Sequence, residues 1–265
     1  MRRLTTLTTV IAFAVALAPA AARAQRYTVY EWEGPMTGWV EPTLHDYAVP
    51  RSGRTYDHFG KTVTEAGVSA HSLEIEYGVN DRFTLSAYAD MESAHSIPLT
   101  YTATRLVGRY RFSNRYQRFF NPAVYVEYVA PRSKYQASNE LETRLILERD
   151  WEDLRLLLNP RVSFALGDTT NEGPQAGFSG AVRWRRFYAL QPGVELHSEL
   201  GRLGQGRPWH DQQHVLMPTA TIRFARAFTW ELGAGFGLTH ATDQLSLKSI
   251  LHYEFQTVRP SHQAQ

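Results

Sequence analysis

Apolar and polar residues alternate one for one along Leu73-Glu74-Ile75-Glu76-Tyr77-Gly78-Val79, and after Asn80-Asp81 the alternation resumes in Phe83-Thr84-Leu85-Ser86-Ala87. A period of two marks an extended strand with one apolar face, and two such runs about a two-residue turn make a hairpin. The rhythm continues to the end of the chain. It predicts strands over about 38–49, 66–79, 82–91, 100–113, 119–131, 139–149, 152–166, 175–187, 192–203, 213–225, 227–239 and 243–255. Pro42 interrupts the first of them, and proline belongs at the edges and bulges of sheets.

Tight reversals are expected at Asn80-Asp81, Asp150-Trp151 and Arg226, whereas 50–65, 92–99, 132–138, 167–174 and 204–212 are longer, polar and rich in Gly, Pro and Asn. Only the connection at 241–242 is short on that side. Short turns at one rim and long loops at the other are the pattern of a membrane barrel, and a sandwich has no reason for it. The fold class expected is therefore all-β, an up-and-down antiparallel transmembrane β-barrel of about twelve strands.

The apolar faces carry Leu73, Ile75, Tyr77 and Val79; Leu154, Leu156, Leu158, Val162, Phe164 and Leu166; Leu216, Ala220, Ile222 and Phe224; Phe228, Trp230, Leu232, Ala234, Phe236 and Leu238; and Leu245, Leu247, Leu251, Tyr253 and Phe255. None of these sets contains a charge, as a lipid-facing wall requires, because Arg or Lys at mid-bilayer costs about 2–4 kcal/mol. The opposite faces hold the charges. Glu74, Glu76, Arg105, Arg109, Arg111, Glu142, Arg144, Glu148, Arg155, Arg161, Arg183, Arg185, Glu195, Glu199, Arg223 and Glu231 are the candidate lumen-lining residues, with Glu127, Lys248 and Glu254 on the same faces. They would form either a solute path, with a basic strip opposite an acidic one, or an ion-pair network stitching the strands. Were the two faces exchanged, the chain would be a soluble periplasmic barrel binding an apolar ligand. The aromatics favour lipid outside: Tyr77, Phe83, Phe112, Tyr116, Phe119, Phe120, Trp151, Phe187, Tyr188, Phe224, Phe228, Tyr253 and Phe255 gather beside the short turns, like an interfacial girdle. Gly233, Gly235 and Gly237 would flatten one inner wall to admit a neighbouring side chain or bend the strand.

The N-terminus fits export. Arg2 and Arg3 precede an apolar stretch from Val10 to Leu17, and Ala22-Arg23-Ala24 offers a cleavage site, so residues 1–24 read as a signal peptide. Residues 25–37 would then be a periplasmic segment or plug, 38–255 the barrel, and 256–265 a periplasmic tail. No later segment reaches the roughly 18 apolar residues a membrane helix needs. With 28 basic and 26 acidic residues the net charge is +2, which gives no cause to expect a nucleic-acid partner. The absence of cysteine excludes disulfides and thiolate metal sites.

The signal, the Glu-Tyr-Gly-Val-Asn-Asp-Arg-Phe turn at 76–83 and the aromatic-ended Leu251-His252-Tyr253-Glu254-Phe255 resemble Gram-negative outer-membrane β-barrels. Within that class the turn is similar to small uncharacterised barrels and to transporters associated with phenol-type aromatic degradation. The resemblance implies location in the outer membrane, with its lipid and the barrel assembly machinery as partners and a small-molecule solute as cargo. Ten residues after Phe255 depart from the usual aromatic terminus.

Chemistry is otherwise sparse. A lipid hydrolase would need a Ser/His pair on the lipid-facing wall; the nearest candidates are His197-Ser198 and Ser246 with Lys248 or His252, and none has the supporting pattern. His210 and His214 lie four apart in a Gly/Pro-rich loop, where that spacing does not align ligands. His45-Asp46 and His252-Glu254 read as polar strand residues. No catalytic residue, metal site or cofactor is expected, and the function anticipated is a passive channel or transporter for small solutes. The alternative is a closed structural or assembly barrel.

Overall fold

The structure, a computed structural model, describes residues 27–95, 97–136, 138–167, 173–225 and 227–257. The expected signal peptide and most of the tail lie outside them. The dyad runs form β1 (Trp39–Arg51), β4 (Val68–Asn80), β5 (Phe83–Ala94), β6 (Ile97–Arg111), β7 (Asn121–Pro131), β8 (Asn139–Trp151), β9 (Leu154–Leu166), β10 (Gln175–Trp184), β11 (Leu190–Arg202), β12 (Gln213–Ala225), β13 (Phe228–Gly237) and β14 (Leu245–Tyr253). Each pairs antiparallel with its neighbours in sequence, and β14 pairs with β1, so these twelve strands close into an up-and-down barrel without a free edge.

Three short strands were not expected from the sequence. Inside the first long loop, β2 (Thr55–His58) and β3 (Lys61–Thr64) form a separate hairpin about Phe59 and Gly60, both at positive φ. Beyond β14, β15 (Phe255–Gln256) pairs with Trp39 and Val40. Pro42 lies where β1 passes from pairing with β15 to pairing with β14, so its missing N–H falls at a break in the ladder. The turn expected at Asp150-Trp151 is displaced. Trp151 pairs with Leu154, which leaves Glu152 and Asp153 as the loop, with Glu152 in the left-handed region at φ 52°.

Facing follows the alternation. Leu73, Ile75, Leu85, Leu106, Leu158, Val194 and Leu247 are all exposed on the outer wall, and the alternate charged residues are buried within. The soluble barrel with an apolar interior is thereby overturned. At the rim of short turns the aromatics form a band, part of which is a ladder of rings Phe224–Phe228–Tyr253–Phe255 with centroids 5.5, 4.6 and 5.6 Å apart. The outer wall does carry one polar pair: Asp46 and His71, in register on β1 and β4, meet at 2.6 Å and are each about one-third exposed. Inside, a Cβ on Gly233 or Gly235 would stand 2.7 Å from the Met217 side chain, so these glycines of β13 make room for it.

Candidate functional site: the barrel interior

Residues 27–38 run inside the barrel before β1 begins. Their side chains divide among its walls: Tyr27 packs with Tyr47, Ala70, Val215 and Met217; Val29 with Leu157 and Ala181; and Trp32 with Tyr88, Val107, Ala123, Tyr125 and Ile146. An irregular segment in such a place must have its backbone groups satisfied. The wall does this with side chains. Asn159 accepts from the Tyr30 N–H at 2.7 Å and donates to the Tyr30 carbonyl at 3.1 Å; Glu148 accepts from the Trp32 N–H at 2.9 Å. Arg109 donates to the carbonyls of Glu31 and Glu33 at 3.0 and 2.9 Å. The Glu31 carboxylate is held by Arg155 and Arg183. Where the segment leaves the interior, a side chain on Gly78 of β4 would collide with the backbone of Pro35 and Met36.

The candidate lumen residues fall into linked groups. Near the short turns Glu76 pairs with Arg109 and accepts from Thr84, while Arg155 lies 2.8 Å from Asp150 and Arg185 3.0 Å from it. Arg115 joins Glu148 and Asp150 at 3.1 and 2.9 Å, and Arg111 faces the Trp32 ring at 5.4 Å. Midway, Arg183 bridges Glu195 and Glu231 at 3.2 and 2.7 Å, and Lys248 sits 2.6 Å from each of the same carboxylates with no exposed side-chain surface. On the facing wall Arg105 lies between Asp90 and Glu127 at 3.1 and 3.0 Å and over the Tyr88 ring at 3.7 Å, while Glu74 accepts from His45 at 2.8 Å. Higher up, Glu142 joins Arg144 and Arg161 at 2.6 and 2.7 Å, and Arg161 reaches Glu199. Arg223 lies 5.8 Å from the Tyr188 ring.

The two signs do not sort onto opposite walls, as separate basic and acidic strips would require. They interleave, because an isolated like-charged strip in a low-dielectric interior lacks the partners that offset desolvation. Asp90, Asp150, Asn159 and Glu31 belong to this network and were not singled out from sequence. The alternation Tyr30-Glu31-Trp32-Glu33 was the available signal for the last. Between the segment and the upper wall remains a polar cavity of about 110 Å³, lined by Tyr27, Tyr30, Arg144, His197, Ser198 and Glu199 among others.

Of the hydrolase candidates, His197 bonds Glu195 at 2.9 Å and Ser198 bonds His214 Nδ1 at 2.8 Å, both inside the barrel and away from lipid. Ser246 meets the Tyr27 hydroxyl at 3.2 Å, and His252 meets Glu41 at 3.0 Å. His214 is stacked on Trp209 at 3.8 Å while His210 stacks on His240, so the two do not converge on one point.

No family model matches the chain, and no curated protein is similar to it in sequence. Solved structures are similar in fold. The COG4313 outer membrane channel from Pseudomonas putida F1 superposes with a TM-score of 0.56 at 12% identity, over 84% of this chain and 97% of that one. The KdgM porin, solved in complex with disordered oligogalacturonate, gives 0.54 at 12% identity over 82% and 99%. The NanC porin gives 0.51 at 9% identity over 83% and 100%. None of the three is described as handling phenols. A closed twelve-stranded barrel, a predominantly apolar outer wall ringed by aromatics and these likenesses together give the chain the fold of an outer-membrane β-barrel and place it in that membrane.

Proposed function

We propose that the protein is an outer-membrane channel for small polar solutes, that its path is the charge-lined interior, and that the segment 27–38 is a plug closing it in the conformation described. The single observation that carries this is the way the interior holds that segment: its backbone is bound by Asn159, Glu148 and Arg109, side chains that would bind a passing polar solute equally well. A channel needs a polar wall at close quarters, and this wall is satisfied by a segment the strands do not need for their own pairing. The likeness in fold to a channel and two porins supports the reading.

A second reading has its own support. The pairs Arg105–Asp90, Arg161–Glu142 and Lys248–Glu231 join neighbouring strands, as a scaffold that never opens would also require. One experiment separates them. The chain lacks cysteine, so a cysteine pair at Thr28 and Ser179, where the Ser179 hydroxyl donates to the Thr28 carbonyl at 3.4 Å, can tether the segment reversibly. In planar bilayers the reduced protein is expected to show conductance steps and the oxidised protein none. Absence of conductance above the lipid background in the reduced protein and in a chain lacking 27–37 would establish the closed barrel instead. Liposome swelling with sugars, amino acids and aromatic acids then ranks the solutes.

A further inference from the structure

At the rim of long loops the β2–β3 hairpin folds inward over one side of the mouth. Tyr56 packs with Val68, Ala94, Val63 and Ile97. The Tyr56 hydroxyl and His58 Nδ1 meet Glu92 Oε1 at 2.5 and 2.9 Å, and Tyr135, from the loop after β7, donates to Glu92 Oε2 at 2.9 Å. The end of the hairpin is held differently. Glu65, just after β3, and Asp243, in the loop before β14, are both buried, and one guanidinium serves both: Arg54 is 3.2 Å from Glu65 Oε2 and 3.9 Å from Asp243 Oδ1. The other Glu65 oxygen, Oε1, and Asp243 Oδ1 have no hydrogen-bond donor. Two buried carboxylates beside one cation leave an uncompensated negative charge, which a proton shared between the acids removes.

We propose that the β2–β3 hairpin is a pH-operated lid on the external mouth, latched by a proton shared between Glu65 and Asp243 and released when that proton is lost. The latch joins the first external loop to the last, so its release frees the hairpin from the β14 side of the mouth. The groups facing Glu65 are Arg54 from the stretch before β2, Asp243 from the loop before β14, Glu92 from β5, Tyr56 from β2 and Tyr27 from the interior segment. Of these only Arg54 is cationic. Burial, followed by the hydrogen bond to Asp243, raises the Glu65 pKa to about 8. A carboxyl raised on latching contributes fully below its ordinary range near 4.5, and its contribution is lost as pH climbs toward 8. The lid is therefore tightest in acid and loosest in mild alkali.

The test reads the hairpin directly and does not depend on whether the barrel conducts. In the full chain reconstituted in lipid, Val63→Cys reports the covered face of β3 and Lys61→Cys an exposed position on the same strand. Their labelling rates by a thiol reagent, taken as a ratio, cancel the reagent's own pH dependence. The ratio is expected to rise with pH from 6, by up to about tenfold per unit, and to level off above 8. Glu65→Gln, which keeps a hydrogen-bond donor for Asp243 at every pH, should keep the ratio low from pH 6 to 9 while still migrating as a folded barrel. A flat ratio in the parent, or an unchanged rise in Glu65→Gln that disappears in His58→Gln, would overturn the proposal, the latter by moving the switch to the His58–Glu92 pair.

Discussion

Lys248 lies on the last strand, has no exposed side-chain surface and contacts Glu195 and Glu231 at 2.6 Å each. At that separation and an effective dielectric constant of about 20, each contact is worth roughly 6 kcal/mol before desolvation, which returns several kcal/mol per ion. Lys248→Met keeps the length of the stem and removes the charge. Glu195, itself fully buried, then retains Arg183 at 3.2 Å and His197 at 2.9 Å, and Glu231 retains only Arg183 at 2.7 Å among the ion pairs described. The balance is a loss of about 3–5 kcal/mol, the usual result of orphaning a buried charge. Reversible urea unfolding in lipid vesicles, followed by tryptophan fluorescence and by the gel shift between folded and heated protein, measures it. Lys248→Met with Glu231→Gln should recover much of the loss, since the second change removes the orphan. A single-variant loss under about 1 kcal/mol would refute the reasoning, because it would mean that water reaches these carboxylates and replaces the lost ammonium.

Other consequences can be checked the same way. Asn159→Ala removes both hydrogen bonds to Tyr30, so the closed state should lose about 2 kcal/mol and the open-to-closed ratio in bilayers should rise on the order of thirtyfold; an unchanged open probability would count against the plug. Leu106→Arg, well within the outer wall, should cost about 2–4 kcal/mol, and Tyr110→Arg, beside the aromatic rim, about 0–1 kcal/mol. Equal costs in vesicle unfolding would contradict the position of the lipid boundary. Gly233→Ala should lose about 1–3 kcal/mol against Met217, and much less when it is made in a Met217→Ala background, with vesicle unfolding as the measurement.

The barrel was legible because each strand repeats the same local rule. From Leu73 to Ala87 the rule fixes which face is buried without reference to any distant residue, and the hairpin pairing follows, with Ile75 opposite Ala87. Where the rule is short or broken, legibility ends. Thr55–His58 and Lys61–Thr64 are four residues each, too brief for a dyad signal, so the lid was read as loop. Asp46 was readable as a polar strand residue, but not its outward pairing with His71, because strand β1 is polar around His45-Asp46 and the facing of Asp46 emerges only from its register with β4. The grip on the interior segment joins residues as far apart as Glu31 and Arg183, and no local pattern encodes such a distance. The separation of charges into two strips failed for a related reason: side was readable along a strand, whereas angular position around the barrel depends on closure.

Closure also completes the interior. The partners of Lys248 arrive on β11 and β13, Ser246 bonds the hydroxyl of Tyr27, and both residues sit on β14, the final strand of the barrel. A sheet lacking β14 would present Glu195 and Glu231 without their ammonium and the Tyr27 hydroxyl without its contact to Ser246. One strand thus supplies closure of the wall, balance of charge and a contact to the interior segment together, so a barrel short of it is a poor resident of the bilayer.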